Sequence, residues 1–282
     1  MPNPQRLITT VKRAAEFFRS TPGRRGTVIE IESADDVLVA GDLHGNLAHF
    51  QTLLDRARLD RNPNRHLVLQ ELVHGDSLYP NGGCKSHQLV DLVSALKCQY
   101  PDRVHFLLGN HELSELNDRP ILKGGVRTNQ LFRLGIEHAY GDSTAEVFIA
   151  YRELFQSLPL GLRTKNRVFI SHSYPKASKL ENGFDASIFE AASVDQISLE
   201  RNGSLHDLLW GRDGDEQTAR KFAAIVNAEL LITGHMPCPE GFRSPNPIQL
   251  ILDCSRFPAC YCLFPNQQPI TLTELLSHVR TL

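Results

Sequence analysis

The segment GDLHGN at residues 41–46 places the strongest constraint on how this chain folds. The apolar run Val37–Ala40 precedes it, and apolar residues at helical spacing follow it over residues 47–57. This order predicts a strand, a tight turn and a helix. Residues two apart in an extended segment point to the same side. Asp42 and His44 can therefore bind one metal ion at the end of the strand.

The same order of strand and helix recurs further along the chain. A second apolar run, His66–Leu72, leads to Gly75–Asp76, and a third, Val104–Leu108, leads to GNHE at Gly109–Glu112. Strands that alternate with helices form a mostly parallel sheet covered on both faces. Ligands of such sheets bind beyond the carboxyl ends of the strands. The pattern predicts an α/β fold with a polar site at that edge.

Composition argues against several classes of protein. A length of 282 residues suits one large domain with a full core, and a net charge of −2 gives no global attraction to nucleic acid or to an anionic membrane. No apolar run approaches the roughly 20 residues that span a bilayer. Six scattered cysteines indicate a reduced, cytoplasmic protein. Cys260 and Cys262 are expected to lie in a buried strand rather than to bind metal.

The N-terminal segment, residues 1–26, is expected to form a helix that packs on a main domain of residues 27–282. Leu7, Val11 and Phe18 have the spacing of one helical face, and charged residues interrupt the apolar positions. The turn sequence TPGRRG then separates this helix from the first strand-like run.

The order of the motifs resembles that of a known family. GDLHG, a later GD, GNHE, a histidine after an apolar strand (His172) and the pair Gly234–His235 occur in the order of the calcineurin-like metallophosphoesterases. The sequence is most similar to the phosphoprotein phosphatase (serine/threonine phosphatase) branch in its bacterial-type form. The resemblance extends from Val37 to Asp253 and includes LLWGR at Leu208–Arg212.

The resemblance implies a fold of two mixed β-sheets packed as a sandwich and flanked by helices. A largely helical stretch is expected at residues 116–158. The second sheet would take up the strand-like runs that follow it, which are Val168–Ser171, Leu230–Thr233, Ile248–Leu252 and Tyr261–Phe264.

The resemblance also implies a centre of two divalent metal ions. The implied ligands are Asp42 and His44 for one ion, Asn110, His172 and His235 for the other, and Asp76 as the bridge between them. Oxygen and imidazole ligands without thiolates favour Mn²⁺, with Fe or Zn²⁺ as alternatives. Two such ions can activate water and hold phosphoryl oxygens. His74 is expected to support this site or to pack beside it.

The expected general acid is His111, which follows Asn110 in GNHE. Glu112 is expected to orient the loop. After the bridging Asp, phosphoprotein phosphatases usually continue GDxVDRG, where the second Asp orients the catalytic His and the Arg binds phosphate. This chain continues GDSLYPNGG, so Tyr79 and Pro80 would stand at those two positions.

Either another residue supplies the positive charge for phosphate, or the affinity for phosphate comes from the metal ions alone. Arg212 is the first candidate for binding phosphate, followed by Arg127 and Lys123, because arginine can hold phosphate through two hydrogen bonds. The alternative for Arg212 is an ion pair with its acidic neighbours at the surface. Glu115 or Asp118 is the candidate for orienting His111.

The predicted function is hydrolysis of phosphate monoesters by direct attack of a metal-bound hydroxide. The branch implies phosphoserine or phosphothreonine in proteins as the substrate, with no nucleic acid or membrane as a partner. Two alternatives are a small-molecule phosphatase or dinucleoside polyphosphate hydrolase, and a phosphatase-like protein that binds metal or a partner without turnover. The sequence does not predict an oligomeric state.

Overall fold

A computed structural model of the chain describes residues 3–282, apart from the side chain of Lys123. The helices are α1 (Pro4–Arg19), α2 (Leu47–Ala57), α3 (His87–Gln99), α4 (Asn110–Leu116), α5 (Thr128–Tyr140), α6 (Thr144–Ser157), α7 (Ala177–Glu181), α8 (Ser204–Trp210), α9 (Glu216–Ile225) and α10 (Leu272–Ser277). Short 3₁₀ helices cover Gly141–Ser143, Ala186–Phe189 and Val194–Gln196.

The strands are β1 (Arg24–Arg25), β2 (Val28–Ile31), β3 (Asp36–Asp42), β4 (Arg65–Gln70), β5 (Val104–Leu107), β6 (Leu122–Lys123), β7 (Val126–Arg127), β8 (Gly161–Thr164), β9 (Val168–Ser171), β10 (Leu230–Thr233), β11 (Phe242–Asn246), β12 (Gln249–Leu252), β13 (Cys260–Pro265) and β14 (Val279–Thr281).

Two mixed sheets form the centre of the fold. The five-stranded sheet has the order β14-β13-β3-β4-β5, in which β3, β4 and β5 are parallel and β13 is antiparallel to β3. The seven-stranded sheet has the order β1-β2-β8-β9-β10-β12-β11, in which β9, β10 and β12 are parallel. The predicted fold class, two mixed sheets flanked by helices, is confirmed.

Apolar side chains from both sheets and from the surrounding helices belong to one buried cluster. Residues Val37–Ala40 of β3 are fully buried, as expected for a strand covered on both faces. Helix α1 packs against α3 and α6 through its buried face, which includes Val11 and Phe18. Cys260 and Cys262 are buried, unpaired cysteines of β13. Among residues 3–282 we find no helix that is both long and apolar enough to cross a bilayer.

The structure differs from the sequence prediction at several elements. Strand β4 ends at Gln70, two residues before the end of the predicted run. The stretch 116–158 contains the β6–β7 hairpin before its helices. Strands β1, β11 and β14, at the edges of the sheets, were not predicted, because short edge strands with polar residues carry no clear apolar period. Strand β8 is also short and was missed. The predicted run Tyr261–Phe264 was assigned to the second sheet, which is wrong, because it lies in β13 and pairs with β3 in the five-stranded sheet.

The carboxyl ends of the central strands of both sheets meet on one side of the molecule. An isolated bridge between Asp42, the last residue of β3, and Asp253, just after β12, joins the two sheets at this point. The segments that follow β3, β4, β5 and β10 line a common cleft of about 850 Å³.

Candidate active site

The turn between β3 and α2 presents Asp42 and His44 to the cleft. Asn46 caps α2, and its side-chain oxygen accepts a hydrogen bond from the N–H of His49 at 3.1 Å. In the turn between β3 and α2, His44 has a φ of 43°, in the left-handed region. Its Nδ1–H donates a hydrogen bond to the Val73 carbonyl at 3.0 Å. That bond places the proton on Nδ1 and a lone pair on Nε2, the arrangement of a metal-binding histidine.

The GNHE motif begins at the N-terminus of α4, and Glu112 ties this helix to the loop after β4. Its Oε1 accepts hydrogen bonds from the N–H groups of Leu72 at 2.9 Å and Val73 at 3.2 Å. Burial, and next the neighbouring Glu71, raise the pKa of Glu112 to about 8. Glu112 therefore fixes the loop and does not face the reacting groups.

Glu71, the first residue after β4, lies at the centre of the cluster. Its Oε1 accepts a hydrogen bond from the backbone N–H of His111 at 2.8 Å, and its Oε2 lies 2.9 Å from Nε2 of His172. Glu71 is the member shared by two groups whose ligand atoms lie within 4.8 Å of one another, which are His44, Glu71 and His111, and Glu71, His172 and His235. It lies between the two groups, where Asp76 was expected.

The structure does not place Asp76 in this cluster, and Glu71 lies there instead. The Asp76 side chain is 71% exposed and accepts a hydrogen bond from Nη2 of Arg256 at 3.0 Å. The predicted strand extends to Leu72, so that the next Gly-Asp pair stands at its end, whereas β4 ends at Gln70. The overlooked signal was the polar pair Gln-Glu inside an otherwise apolar run.

The corrected register changes which residues replace the GDxVDRG pattern. If the pattern starts at Gln70–Glu71, His74 stands at the position of the second Asp and Gly75 at that of the Arg. His74 is buried, and its Nδ1 lies 2.8 Å from Nδ1 of His111. The loop after β4 therefore supplies no arginine that could bind phosphate beside the cluster.

His172, Asn110 and His235 meet Glu71 on the second side of the cluster. Nε2 of His172 lies 2.8 Å from Oδ1 of Asn110 and 3.1 Å from Nδ1 of His235, in addition to its contact with Glu71. One ring nitrogen cannot satisfy three polar atoms, so lone pairs converge here. Oδ1 of Asp42 and Nδ1 of His172, 3.7 Å apart, are buried without a hydrogen-bond partner in the described chain. These oxygen and nitrogen donors fit a divalent cation.

Burial disfavours charge on the members of this cluster. It raises the pKa of Asp42 to about 8, and after burial the largest influences are His172, which lowers that pKa, and Glu71, which raises it. Burial also lowers the pKa of His172, and it holds the pKa of His235 well below the usual range. Neutral imidazole is the form that binds metal, and a bound cation favours the carboxylate form of Asp42.

Strained backbone is concentrated at the same edge. Of the eight non-glycine residues with positive φ in the described chain, four belong to this region, namely His44, Glu71, His74 and His235. Such a conformation costs on the order of 1–3 kcal/mol per residue and is kept where function requires it. Gly234 lets the His235 turn approach β3, because a Cβ there would lie 2.3 Å from Oδ1 of Asp42.

Arg212 lines the cleft beside this cluster. Its Nε lies 3.1 Å from Nε2 of His235. Asp213 instead accepts hydrogen bonds from the backbone N–H groups of Ala177 and Asp215, at 3.1 and 3.0 Å. Within residues 3–282 no ion pair joins Arg212 to its acidic neighbours, so the guanidinium can contact a ligand in the cleft.

The other candidate residues lie elsewhere. Arg127 lines a separate surface pocket beside Asp118, and the side chain of Lys123 lies outside the described residues. Asp118 is 64% exposed and pairs with Arg133 at 2.5 Å, so it does not orient His111. Tyr79 packs on His138, with ring centroids 4.2 Å apart, away from the metal-ligand cluster. Pro80 is in the same loop, outside the residues that line the cleft.

Residues 36–239 match the family model described as calcineurin-like phosphoesterase. The chain belongs to this family. Calcineurin-like phosphoesterases use divalent metal ions, which agrees with the donor set around Glu71.

Individual relatives within the family carry phosphatase names. The chain is 26% identical to a PP2A-like serine/threonine-protein phosphatase of Candida albicans over 83% of its own length and 54% of the relative. It is 27% identical to the serine/threonine-protein phosphatase 4 catalytic subunit of Kluyveromyces lactis over 73% of its own length and 64% of the relative. The chain thus spans less than two thirds of the length of these relatives.

Solved structures show the same calcineurin-like fold. A serine/threonine phosphatase of Saccharomyces cerevisiae superposes with a TM-score of 0.68 at 16% identity, covering 93% of this chain and 82% of that one. A cold-active protein-tyrosine phosphatase of a Shewanella species superposes with a TM-score of 0.54 at 15% identity, covering 84% of this chain and 77% of that one. At these identities the likeness supports the fold alone.

Proposed function

We propose that this calcineurin-like phosphoesterase is a phosphatase that hydrolyses phosphate monoesters with the help of two divalent metal ions. The observation that carries the proposal is the position of Glu71, whose carboxylate is shared by two groups of potential ligand atoms. The names of the relatives support phosphoserine or phosphothreonine in proteins as the substrate class.

The site offers a separate set of ligands to each ion. Asp42, His44 and Glu71 would hold one ion, and the other would be held by Glu71, Asn110, His172 and His235. We expect Mn²⁺, with Fe or Zn²⁺ as alternatives, because the ligands are oxygen and imidazole. When bound, the two ions supply an activated water and withdraw charge from the phosphoryl oxygens. Two carboxylates only partly neutralise two dications, so the centre attracts a phosphate dianion.

In this proposal His111 gives a proton to the leaving oxygen. It lines the cleft, and its backbone N–H is held by Glu71 at 2.8 Å. Its ring also lies beside that of His44, with centroids 4.8 Å apart. A positioned general acid contributes typically about 10²–10⁴-fold to the rate when the leaving group needs protonation.

In this proposal Arg212 binds the phosphoryl group. Its Nε lies 3.1 Å from Nε2 of His235, so the guanidinium lies beside a proposed metal ligand. The terminal nitrogens of the guanidinium can donate to two oxygens of one phosphate. This role supplies the cation that the loop after β4 lacks.

The shape of the cleft supports a phosphorylated polypeptide as substrate. Beyond the metal ligands, the cleft is lined by Lys85, Arg256 and Phe257, whose side chain is 79% exposed. An open rim with cationic and aromatic groups can contact residues on either side of a phosphorylated one. These residues lie away from the reacting centre and are available for such contacts.

The proposal is tested by metal analysis and a substrate panel. The purified protein, supplied with Mn²⁺, is assayed with p-nitrophenyl phosphate, bis(p-nitrophenyl) phosphate, phosphoserine, phosphothreonine and phosphotyrosine peptides, and a diadenosine polyphosphate. We expect turnover of the monoester and the phosphoserine and phosphothreonine peptides. Asp42→Asn is the control for contaminating phosphatases, and its activity should be lost.

Each other result points to a different function. Preference for the diadenosine compound would indicate a dinucleoside polyphosphate hydrolase. Turnover of the simple monoester without the peptides would indicate a small-molecule phosphatase. If the protein bound metal but hydrolysed none of the panel, the proposed activity would be wrong, and a binding function would take its place.

A further inference from the structure

A chain of three buried side chains runs from the cleft into the protein. Nδ1 of His111 lies 2.8 Å from Nδ1 of His74, and Nε2 of His74 lies 2.7 Å from Oε1 of Glu115. The side chains of His74 and Glu115 are fully buried. Glu115 was a sequence candidate for orienting His111, and the structure shows that it reaches His111 only through His74.

Hydrogen-bond chemistry assigns the protons of this chain when Glu115 is a carboxylate and His74 is a neutral ring. A carboxylate can only accept, so Nε2 of His74 carries a proton and donates it to Glu115. Nδ1 of the neutral His74 ring is then an acceptor, and the proton between the two rings belongs to Nδ1 of His111. Because the Nδ1 proton stays bonded to His74, Nε2 is the nitrogen of His111 that takes up a proton in the acid form and then gives it to the leaving oxygen.

Neighbouring residues hold the chain in this arrangement. Nδ2 of Asn129 donates a hydrogen bond to the same Glu115 oxygen at 2.7 Å. The Thr128 hydroxyl lies 3.1 Å from Nδ1 of His74 and can donate to the Ile121 carbonyl, also at 3.1 Å. The backbone N–H of His74 donates to Oγ of Ser86 at 3.0 Å, which secures its left-handed conformation.

We propose that His74 and Glu115 are positioning residues that fix the tautomer and the ring orientation of His111. The inference rests on the proposed phosphatase function, in which His111 is the proton donor. A histidine supported by a buried glutamate then takes the place of the Asp at the corresponding position of GDxVDRG. In the Ser-His-Asp triad of serine proteases an aspartate fixes the tautomer of the catalytic histidine, and loss of that tautomer lowers kcat by about 10⁴-fold.

The first test compares two substitutions of Glu115. Glu115→Ala removes the acceptor, so His74 can change tautomer. Glu115→Gln keeps an oxygen, which Asn129 can hold in place to accept from His74. With an alkyl phosphate, which needs an acid, Glu115→Ala should lower kcat at least tenfold more than with p-nitrophenyl phosphate. Glu115→Gln should restore most of this loss, and metal content and KM should be unchanged in both.

The second test combines Glu115→Ala with His111→Ala in one variant. In His111→Ala, which lacks the proton donor, Glu115→Ala should have no further selective effect on the alkyl ester, because coupled residues are not additive. Asp118→Ala is the matched control, since this exposed acid lies three residues further on and pairs with Arg133. It should leave both rates unchanged. Equal slowing of the two esters by Glu115→Ala would overturn the proposal.

A spectroscopic test does not depend on turnover. In the Zn²⁺-loaded protein, the nitrogen shifts of the histidine rings should show His111 protonated at Nδ1 and His74 at Nε2. Glu115→Gln should keep these tautomers, and Glu115→Ala should mix them. His74→Asn, which tolerates a positive φ, should mix them at His111 as well. Unchanged tautomers in Glu115→Ala would overturn the inference, whereas an inactive wild type with these shifts would count only against the phosphatase function.

Discussion

The two ends of the five-stranded sheet both bury polar side chains, but in different ways. At the amino ends of the strands, Arg65 forms two hydrogen bonds with Asp36 at 2.6 and 2.8 Å. Nδ1 of His66 lies 2.9 Å from Nε2 of His105. The ammonium of Lys97 has three acceptors, the Thr21 hydroxyl at 2.8 Å and the carbonyls of Pro101 at 2.5 Å and Val104 at 3.0 Å. Here polar groups largely satisfy one another.

At the carboxyl ends, the polar groups converge on shared points. Nε2 of His172 faces three polar atoms, and Oδ1 of Asp42 is buried without a hydrogen-bond partner in the described chain. Backbone strain is concentrated at this end as well. Buried histidines occur at both ends, so burial alone does not mark a functional residue. What distinguishes the site is that its donors and acceptors do not match one another.

The largest expected effect is that of Glu71→Gln. The substitution removes the carboxylate shared by both ligand groups, so the protein should lose at least one metal ion per chain and at least about 100-fold in kcat. The metal-free variant should be no less stable than the metal-free wild type, because it no longer buries a charge. Elemental analysis measures the metal content, and thermal unfolding measures the stability of the metal-free proteins. Asp76→Asn is the control, and a loss of metal there would return the bridge to Asp76.

Arg212 and Lys97 are basic residues at opposite ends of the sheet, and substituting each of them should separate function from stability. Arg212→Ala should weaken inhibition by free phosphate by about 1.5–3 kcal/mol, as expected for loss of a charge-assisted hydrogen bond. Metal content should not change. Arg212→Lys should recover only part of the loss, because it keeps the charge without the two-pronged geometry. An unchanged inhibition constant in Arg212→Ala would exclude this residue from phosphate binding.

Lys97→Met should affect stability rather than activity. The side chain keeps its length but leaves buried carbonyl oxygens without their donor, which should lower the free energy of unfolding by about 1–3 kcal/mol. Activity per folded molecule should be unchanged. Lys12→Met is the control, because the Lys12 side chain is 50% exposed. A loss of activity in Lys97→Met at full folding would mean that the two ends are coupled.

The smallest expected effect is the acid sensitivity of the His66–His105 pair. Burial lowers the pKa of His66 to about 4, compared with about 6.5 in the unfolded chain. Between these values the unfolded state binds more protons, so stability is complete above pH 6.5 and falls as the pH drops towards 4. His66→Gln should unfold with a smaller difference between pH 7 and pH 5 than the metal-free wild type. An equal difference would place the acid sensitivity elsewhere.

The sequence predicted the parts of the site that lie in local motifs. Asp42 and His44 share one turn, and Asn110 and His111 share another, so spacing alone relates them. Glu71 was missed because its assignment depends on where β4 ends, and an apolar run does not mark a strand end to within two residues. His74 and Glu115 are 41 positions apart, and their contact depends on the packing of α4 against the loop after β4. No local pattern contains that information.

The position of His111 and Glu115 on one short helix has a consequence for precision. The two residues are four apart in α4 and so lie on the same face of a rigid element. His74 contacts both of them, and the three side chains close a ring across one helical turn. Displacement of α4 as a whole moves His111 and Glu115 together and leaves the distance between them unchanged. The ring orientation of His111 relative to α4 therefore depends on the contacts that hold His74.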